Sequence, residues 1–135
     1  MTKQLLITGS ILAALSVGLG ALAAHWLKAN ISPANVINFD TAARYQMYHA
    51  LAILIMAALP AKYHIRLFRL TFYSFLTGII FFSGSVYLLA TREITGLQLS
   101  WICPVTPVGG LLFITGWILL IYTAIKVSKK TDPNQ

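Results

Sequence analysis

Phe39-Asp40-Thr41-Ala42-Ala43-Arg44-Tyr45-Gln46-Met47-Tyr48-His49-Ala50-Leu51 carries a polar, aromatic and ionisable face straight into a hydrophobic run. Read as a helix, it sets Ala42, Tyr45, Gln46, His49, Ala52 and Ile53 on one side, because residues three and four apart lie above one another. Ionisable groups that enter a bilayer are costly and are kept for a purpose. His49 is therefore the leading candidate for a working side chain.

The rest of the chain says that a bilayer is the solvent. Of 135 residues, 58% are hydrophobic and only 10% charged, and the mean hydropathy is +0.77. A soluble domain of this length needs far more charge to cover its outside. Ten Lys and Arg against three acids give a formal charge of +7, which in a soluble protein would point to nucleic acid. Here the basic residues lie between apolar blocks, so orientation in a membrane accounts for them and no nucleic-acid partner is expected. The single cysteine, Cys103, excludes an internal disulfide, and zinc-ligand spacing is missing.

Outward from the central stretch, the apolar blocks predict four spans at approximately 4–27, 41–60, 69–91 and 106–125, forming one membrane domain over 1–135. Between Lys3 and Lys28 there is no Asp, Glu, Lys or Arg, and Leu5 to Ala24 alone supplies the roughly 20 residues a crossing needs. Ala21-Leu22-Ala23 resembles a signal-peptidase site, but the apolar run before it exceeds the h-region of a signal peptide, so a retained helix is expected. Trp26 suits the aromatic belt. Residues 29–38 are rich in Asn, Ser and Pro and predict a loop, with Asn38, Asp40 or Thr41 capping the second helix and Asp40 pairing with Arg44. Pro60 ends the second span, and His64 falls in a basic connection. After the third span, Leu97, Leu99, Trp101 and Ile102 predict a segment lying at the interface. The fourth span opens near Thr106-Pro107 and carries Trp117 deep enough to want a hydrogen-bond partner. Gly20, Gly84, Gly109, Gly110 and Gly116 are the positions expected to admit close helix packing.

Four spans put both chain ends and the 62–69 connection on one side. That side holds Lys3, Lys62, Arg66, Arg69, Lys126, Lys129 and Lys130, against Lys28, Arg44 and Arg92 on the other. The positive-inside rule then predicts cytoplasmic termini in a multi-pass protein of the cell membrane. On this topology His25, Tyr45, Gln46, Tyr48, His49, Ser83, Tyr87 and Thr106 converge in the outer half of the bilayer. The expected architecture is an all-α integral membrane four-helix bundle with one outer-side polar cluster.

The segments Gly20–Leu27, Phe39–Leu51, Phe82–Tyr87 and Thr106–Phe113 with Gly116-Trp117 resemble, in order and over nearly the whole chain, domain-of-unknown-function family four-two-three. This is a group of small four-helix membrane proteins that includes YwdK-like and YgdD-like bacterial proteins and is similar to eukaryotic transmembrane protein 256. The family usually has Gly-Ala-Phe-Gly-Ala-His-Ala-Leu in the first motif, where this chain has Leu22, Ala23 and Trp26. The resemblance implies a multi-pass membrane protein and supplies no activity, substrate or cofactor.

Three chemistries compete for the cluster. It can bind a small ligand, a lipid or a partner helix without catalysis. It can hold haem or a metal between His25 and His49, since imidazole is a general ligand. As an enzyme it would need a nucleophile paired with an acid, and Asp40 is the only carboxylate expected nearby. A fourth reading is that the cluster only fixes helix register. A transport path would need an oligomer, and a homo-oligomer is one of the expected partnerships beside membrane lipid.

Overall fold

The computed structural model describes residues 1–63 and 66–131, with Ala61 and 128–131 as backbone only. His64 lies outside the described residues. Among those described every regular element is helical. Helix α1 (Thr2–Leu22) runs through a π-helical turn (Ala23–Leu27) into the short α2 (Lys28–Asn30). Helix α3 is Pro33–Ala58. Helix α4 (Arg66–Ile79) continues through a second π turn (Ile80–Gly84) into α5 (Ser85–Ala90). The short α6 (Arg92–Thr95) follows, then α7 (Val105–Thr131).

Among the described residues, three rods are long and apolar enough to cross a membrane: Thr2–Asn30, Arg66–Ala90 and Ser100–Val127. They are called the first, third and fourth rods below, and α3 is the second. Helix α3 is as long but more polar, since Asp40, Arg44, Gln46 and His49 interrupt it.

The loop expected over 29–38 is not there. The chain turns only at Ile31 and Ser32, both in extended backbone, and α3 begins at Pro33. Proline fits a first helical turn because its missing N–H would have had no partner. The helix start is capped from a distance. Glu93 accepts the Ser32 backbone N–H at 2.7 Å, the Ser32 hydroxyl at 2.8 Å and the Asn35 amide at 2.5 Å. A carboxylate there also opposes the positive end of the helix dipole. The expected caps lie inside the helix instead, where Thr41 donates its hydroxyl to the Ile37 carbonyl. Gly96, at φ +66°, closes α6 in the left-handed conformation.

The rods pack in chain order, first on second, second on third and third on fourth. The first pair runs antiparallel: Ser16 donates to the Ala43 carbonyl at 2.7 Å and Gln46 to the Leu12 carbonyl at 2.8 Å. Gly9 meets Ala50 and Leu54 one step further on. The third and fourth rods interlock through alternating phenylalanine and glycine. A Cβ on Gly116 would stand 2.5 Å from the Phe75 ring, and one on Gly78 2.6 Å from the Phe113 ring. One on Gly109 would be 2.3 Å from the Phe82 backbone nitrogen. Between rods lipid offers no hydrophobic drive, so this close contact and the interhelical bonds hold the bundle. Phe68, Phe72, Phe75, Ile53, Met56 and Phe113 fill one end of the interior, and Leu27, Ile31, Phe39 and Ala90 the other.

Candidate functional site

Side-chain hydrogen bonds join each rod to the next. Gln46 sits at the centre, its amide nitrogen bonded to Leu12 and its carbonyl accepting the Tyr87 hydroxyl at 3.0 Å. Ser83, presented from the second π turn, donates to the Ala42 carbonyl at 2.9 Å. The hydroxyls of Ser85 and Thr106 share a 2.7 Å bond between the third and fourth rods. Gln46, Ser83, Tyr87 and Thr106 thus all spend their polar atoms on neighbouring helices. Such links pin register, since an unpaired group in hydrocarbon costs several kcal/mol, on the order estimated for unsatisfied backbone groups.

His49 is buried, and its place is set by two contacts. Its Nδ1 lies 2.7 Å from the Tyr45 carbonyl, which can only accept, so the proton is on Nδ1. Trp117 then donates its indole N–H to Nε2 at 3.3 Å. The imidazole stacks on Phe113 with ring centres 3.5 Å apart. Phe75 stands 5.3 Å away and itself packs on Trp117 at 5.0 Å. Tyr45 stacks on Phe82 at 4.7 Å and touches Tyr48 and Phe113 more loosely.

Beside this aromatic group a cleft of about 610 Å3 opens between α3 and α7, lined by Tyr45, Tyr48, His49, Phe82, Phe113 and Trp117 with Gly110 and Ile114. Tyr48 and Ile114 are more than half exposed at its edge. The walls are aromatic and aliphatic, and the tyrosine hydroxyls with the His49–Trp117 pair are its polar features. The arrangement suits a hydrophobic guest with few polar atoms.

His25 is not part of this group. It lies exposed in the first π turn. Gly9 faces Ala50 across the first helix pair, so His49 stands near the level of Gly9, and His25 is 16 residues further along the rod, roughly 24 Å at helical rise. One haem or metal ion cannot take both as ligands. The His49 nitrogens are moreover both engaged, which leaves no lone pair to offer. That expectation is corrected by helix register, which composition does not carry.

Gly109 and Gly116 meet the third rod closely, Gly110 only reaches Phe82 at 4.0 Å, and a Cβ on Gly20 or Gly84 would meet open space. Reading the sequence missed Glu93, whose carboxylate is held below the ordinary glutamate range mainly by the Ser32 N–H, then by the Ser32 hydroxyl. It also missed Phe82 and Phe113, which read as ordinary apolar residues. The one acid in the connection after the third span, facing the loop that starts the second helix, was the available signal for Glu93.

Comparison with known proteins gives a consistent outcome. A family model described as "Protein of unknown function (DUF423)" matches residues 19–110. A UPF0382 membrane protein of Staphylococcus haemolyticus is 38% identical over 124 residues, covering 92% of this chain and 97% of the relative. The UPF0382 membrane protein YwdK of Bacillus subtilis is 37% identical over 125 residues, covering 92% and 98%. One from Haemophilus influenzae is 43% identical over 110 residues, covering 82% and 84%. No solved structure matches the chain.

Proposed function

The chain belongs to the DUF423 family of membrane proteins, and from that premise we propose a four-span protein whose cleft between α3 and α7 binds a small lipid-soluble molecule. The observation that carries the reading is the cleft itself. It is lined by the Phe82, Phe113 and His49 rings and by two exposed tyrosines, Tyr45 and Tyr48. A gap of this kind within a bilayer is filled by whatever hydrophobic molecule fits it best, because empty space forfeits contact on one side.

The fourth crossing is supported by the way α3 lies along its neighbours. It runs antiparallel to the first rod through Ser16 and Leu12, and meets the third through Ser83 and Tyr87. With α3 counted, both ends fall on the side of the seven basic residues, which is the cytoplasmic side by the positive-inside rule. The interhelical bonds of Gln46, Ser83 and Thr106 support a register-setting role for that part of the polar cluster, leaving Tyr45, Tyr48 and His49 to the guest.

Photo-crosslinking tests the binding. A fatty acid carrying a diazirine, supplied to cells, is expected to label Tyr48, Gly110 or Ile114 in preference to the outer face of the first rod. Ile114→Trp, which fills the cleft, is expected to remove that labelling while abundance is kept. Label spread evenly over all lipid-facing residues would overturn the reading.

A further inference from the structure

The Asp40–Arg44 ion pair sits at the wrong depth for a surface feature. Arg44 Nη2 and Asp40 Oδ2 are 2.7 Å apart, and their side chains are 56% and 46% exposed. The neighbouring residue Ala43 receives the Ser16 hydroxyl. Ser16 is 13 residues from Lys3 and 12 from Lys28, about 18–20 Å from either charge. The third rod gives a similar level: Ser83, bonded to Ala42, stands nine residues before Arg92 and fourteen after Arg69. The pair is thus level with the middle of the first rod and well inside the charge-free stretch of the third, on a face that no element covers among the described residues.

Charges at that depth face protein or a water-filled cavity, and not lipid. The face itself has the pattern of a helix contact. Ile37, Thr41, Arg44, Tyr48, Leu51 and Ile55 are spaced four, three, four, three and four apart, all but the partly exposed Thr41 are exposed, and Tyr48 is where this face borders the cleft. This is the seven-residue rhythm of two helices lying along one another. It lies opposite the side of α3 that carries the buried Ala42, Gln46 and Ile53.

We propose that this face of α3 is the contact with a second copy of the chain, joined at its centre by Asp40 and Arg44 exchanged between copies. A pair of opposite charges one helical turn apart is self-complementary under a two-fold axis, since residue i of one copy meets j of the other and the reverse. In copies inserted the same way the two α3 helices run side by side. Helical side chains lean toward the N-terminus, so each arginine reaches up to the level of the partner's aspartate. The four charges then satisfy one another away from lipid. This inference rests on the four-span reading, because α3 must lie in the bilayer.

Cysteine crosslinking in native membranes tests it. In a Cys103→Ser background, Thr41→Cys, Leu51→Cys and Ile55→Cys are expected to give disulfide-linked dimers on oxidation, whereas Ile11→Cys and Ile121→Cys on other exposed faces give none. Arg44→Asp is expected to lower Thr41→Cys dimers at least tenfold, and Arg44→Lys, which keeps the cation one turn below Asp40, to retain them. Monomers at all three α3 positions, dimers of equal yield at the control positions, or dimers indifferent to the charge reversal would each overturn the proposal. Labelling of Thr41→Cys by a membrane-impermeant maleimide would overturn it together with the four-span reading. Protection from that reagent without crosslinking would sink the dimer alone.

Discussion

Trp117 donates its indole N–H to Nε2 of His49 across 3.3 Å, tying the fourth rod to the second at the wall of the cleft. The bond fixes the neutral form of the imidazole, because Nδ1 already donates to Tyr45. Replacing Trp117 with Phe keeps an aromatic ring against Phe75 and deletes the donor together with one ring of the indole. The variant is expected to lose at least about 0.6 kcal/mol, the average measured for such bonds between membrane helices, of which the largest reach about 1.7. Unfolding in detergent–denaturant mixtures measures it, and a variant as stable as the parent would contradict a stabilising role for the bond.

Gln46→Leu separates the register network from the cleft. It removes the bonds to Leu12 and Tyr87 and strands the Tyr87 hydroxyl, which predicts a loss of about 1–2 kcal/mol. Cleft labelling by the diazirine lipid should persist in the protein that still folds. Equal loss of labelling and stability would join Gln46 to the binding site after all.

Gly109→Ala is expected to be far worse than Gly20→Ala. The new methyl at 109 would press on the Phe82 backbone, which cannot swing aside, while at 20 it meets nothing within 4 Å. Overpacking of this kind costs about 1–3 kcal/mol or more. Gel filtration and thermal unfolding of the two purified variants compare them, and equal midpoints would contradict the packing.

Glu93 makes the start of α3 sensitive to acid. Its folded value is held below the ordinary 4.5, so its contribution is fully present above that value and is lost as pH falls through the lower folded one. The protection of the amides in the first turn of α3, taken relative to their intrinsic exchange at each pH, should therefore fall on acidification below the ordinary glutamate range. In Glu93→Gln the same amides should exchange faster at neutral pH and respond less to acid. An unchanged pH profile in that variant would assign the acid response to another group.

The charge count predicts that reporters fused to either end of the chain read the cytoplasm. Reporters on opposite sides would mean that one of the four rods does not cross.

How much of this was readable in advance depends on the range of the interaction. The apolar runs around Leu5 to Ala24, 70–91 and 107–125 announce the first, third and fourth rods, because length and hydropathy are local properties. The start of the second helix was hidden, since Asn30, Ser32 and Pro33 have loop composition and the carboxylate that caps them is 61 residues away at Glu93. Likewise His25 and His49 looked like neighbours on a topology diagram. Their vertical offset is decided by where Gly9 and Ser16 seat against α3, which requires the packed pair. That Gly109 touches a backbone while Gly84 touches nothing depends on helix azimuth, to which a π turn adds a further rotation.

The alternating Phe and Gly of the third and fourth rods leave those two helices a single seating. Sliding them by one turn in one direction would bring ring against ring at Phe75 and Phe113, and in the other would set Gly78 opposite Gly116 and open a hole. These two rods are therefore keyed together, and the seam where α3 meets α7 is bridged only by the His49–Trp117 bond and the stacked rings beside it. Admission of a guest there would be a hinge motion of one helical hairpin against the other, with the stacked imidazole of His49 and ring of Phe113 as the part that must yield.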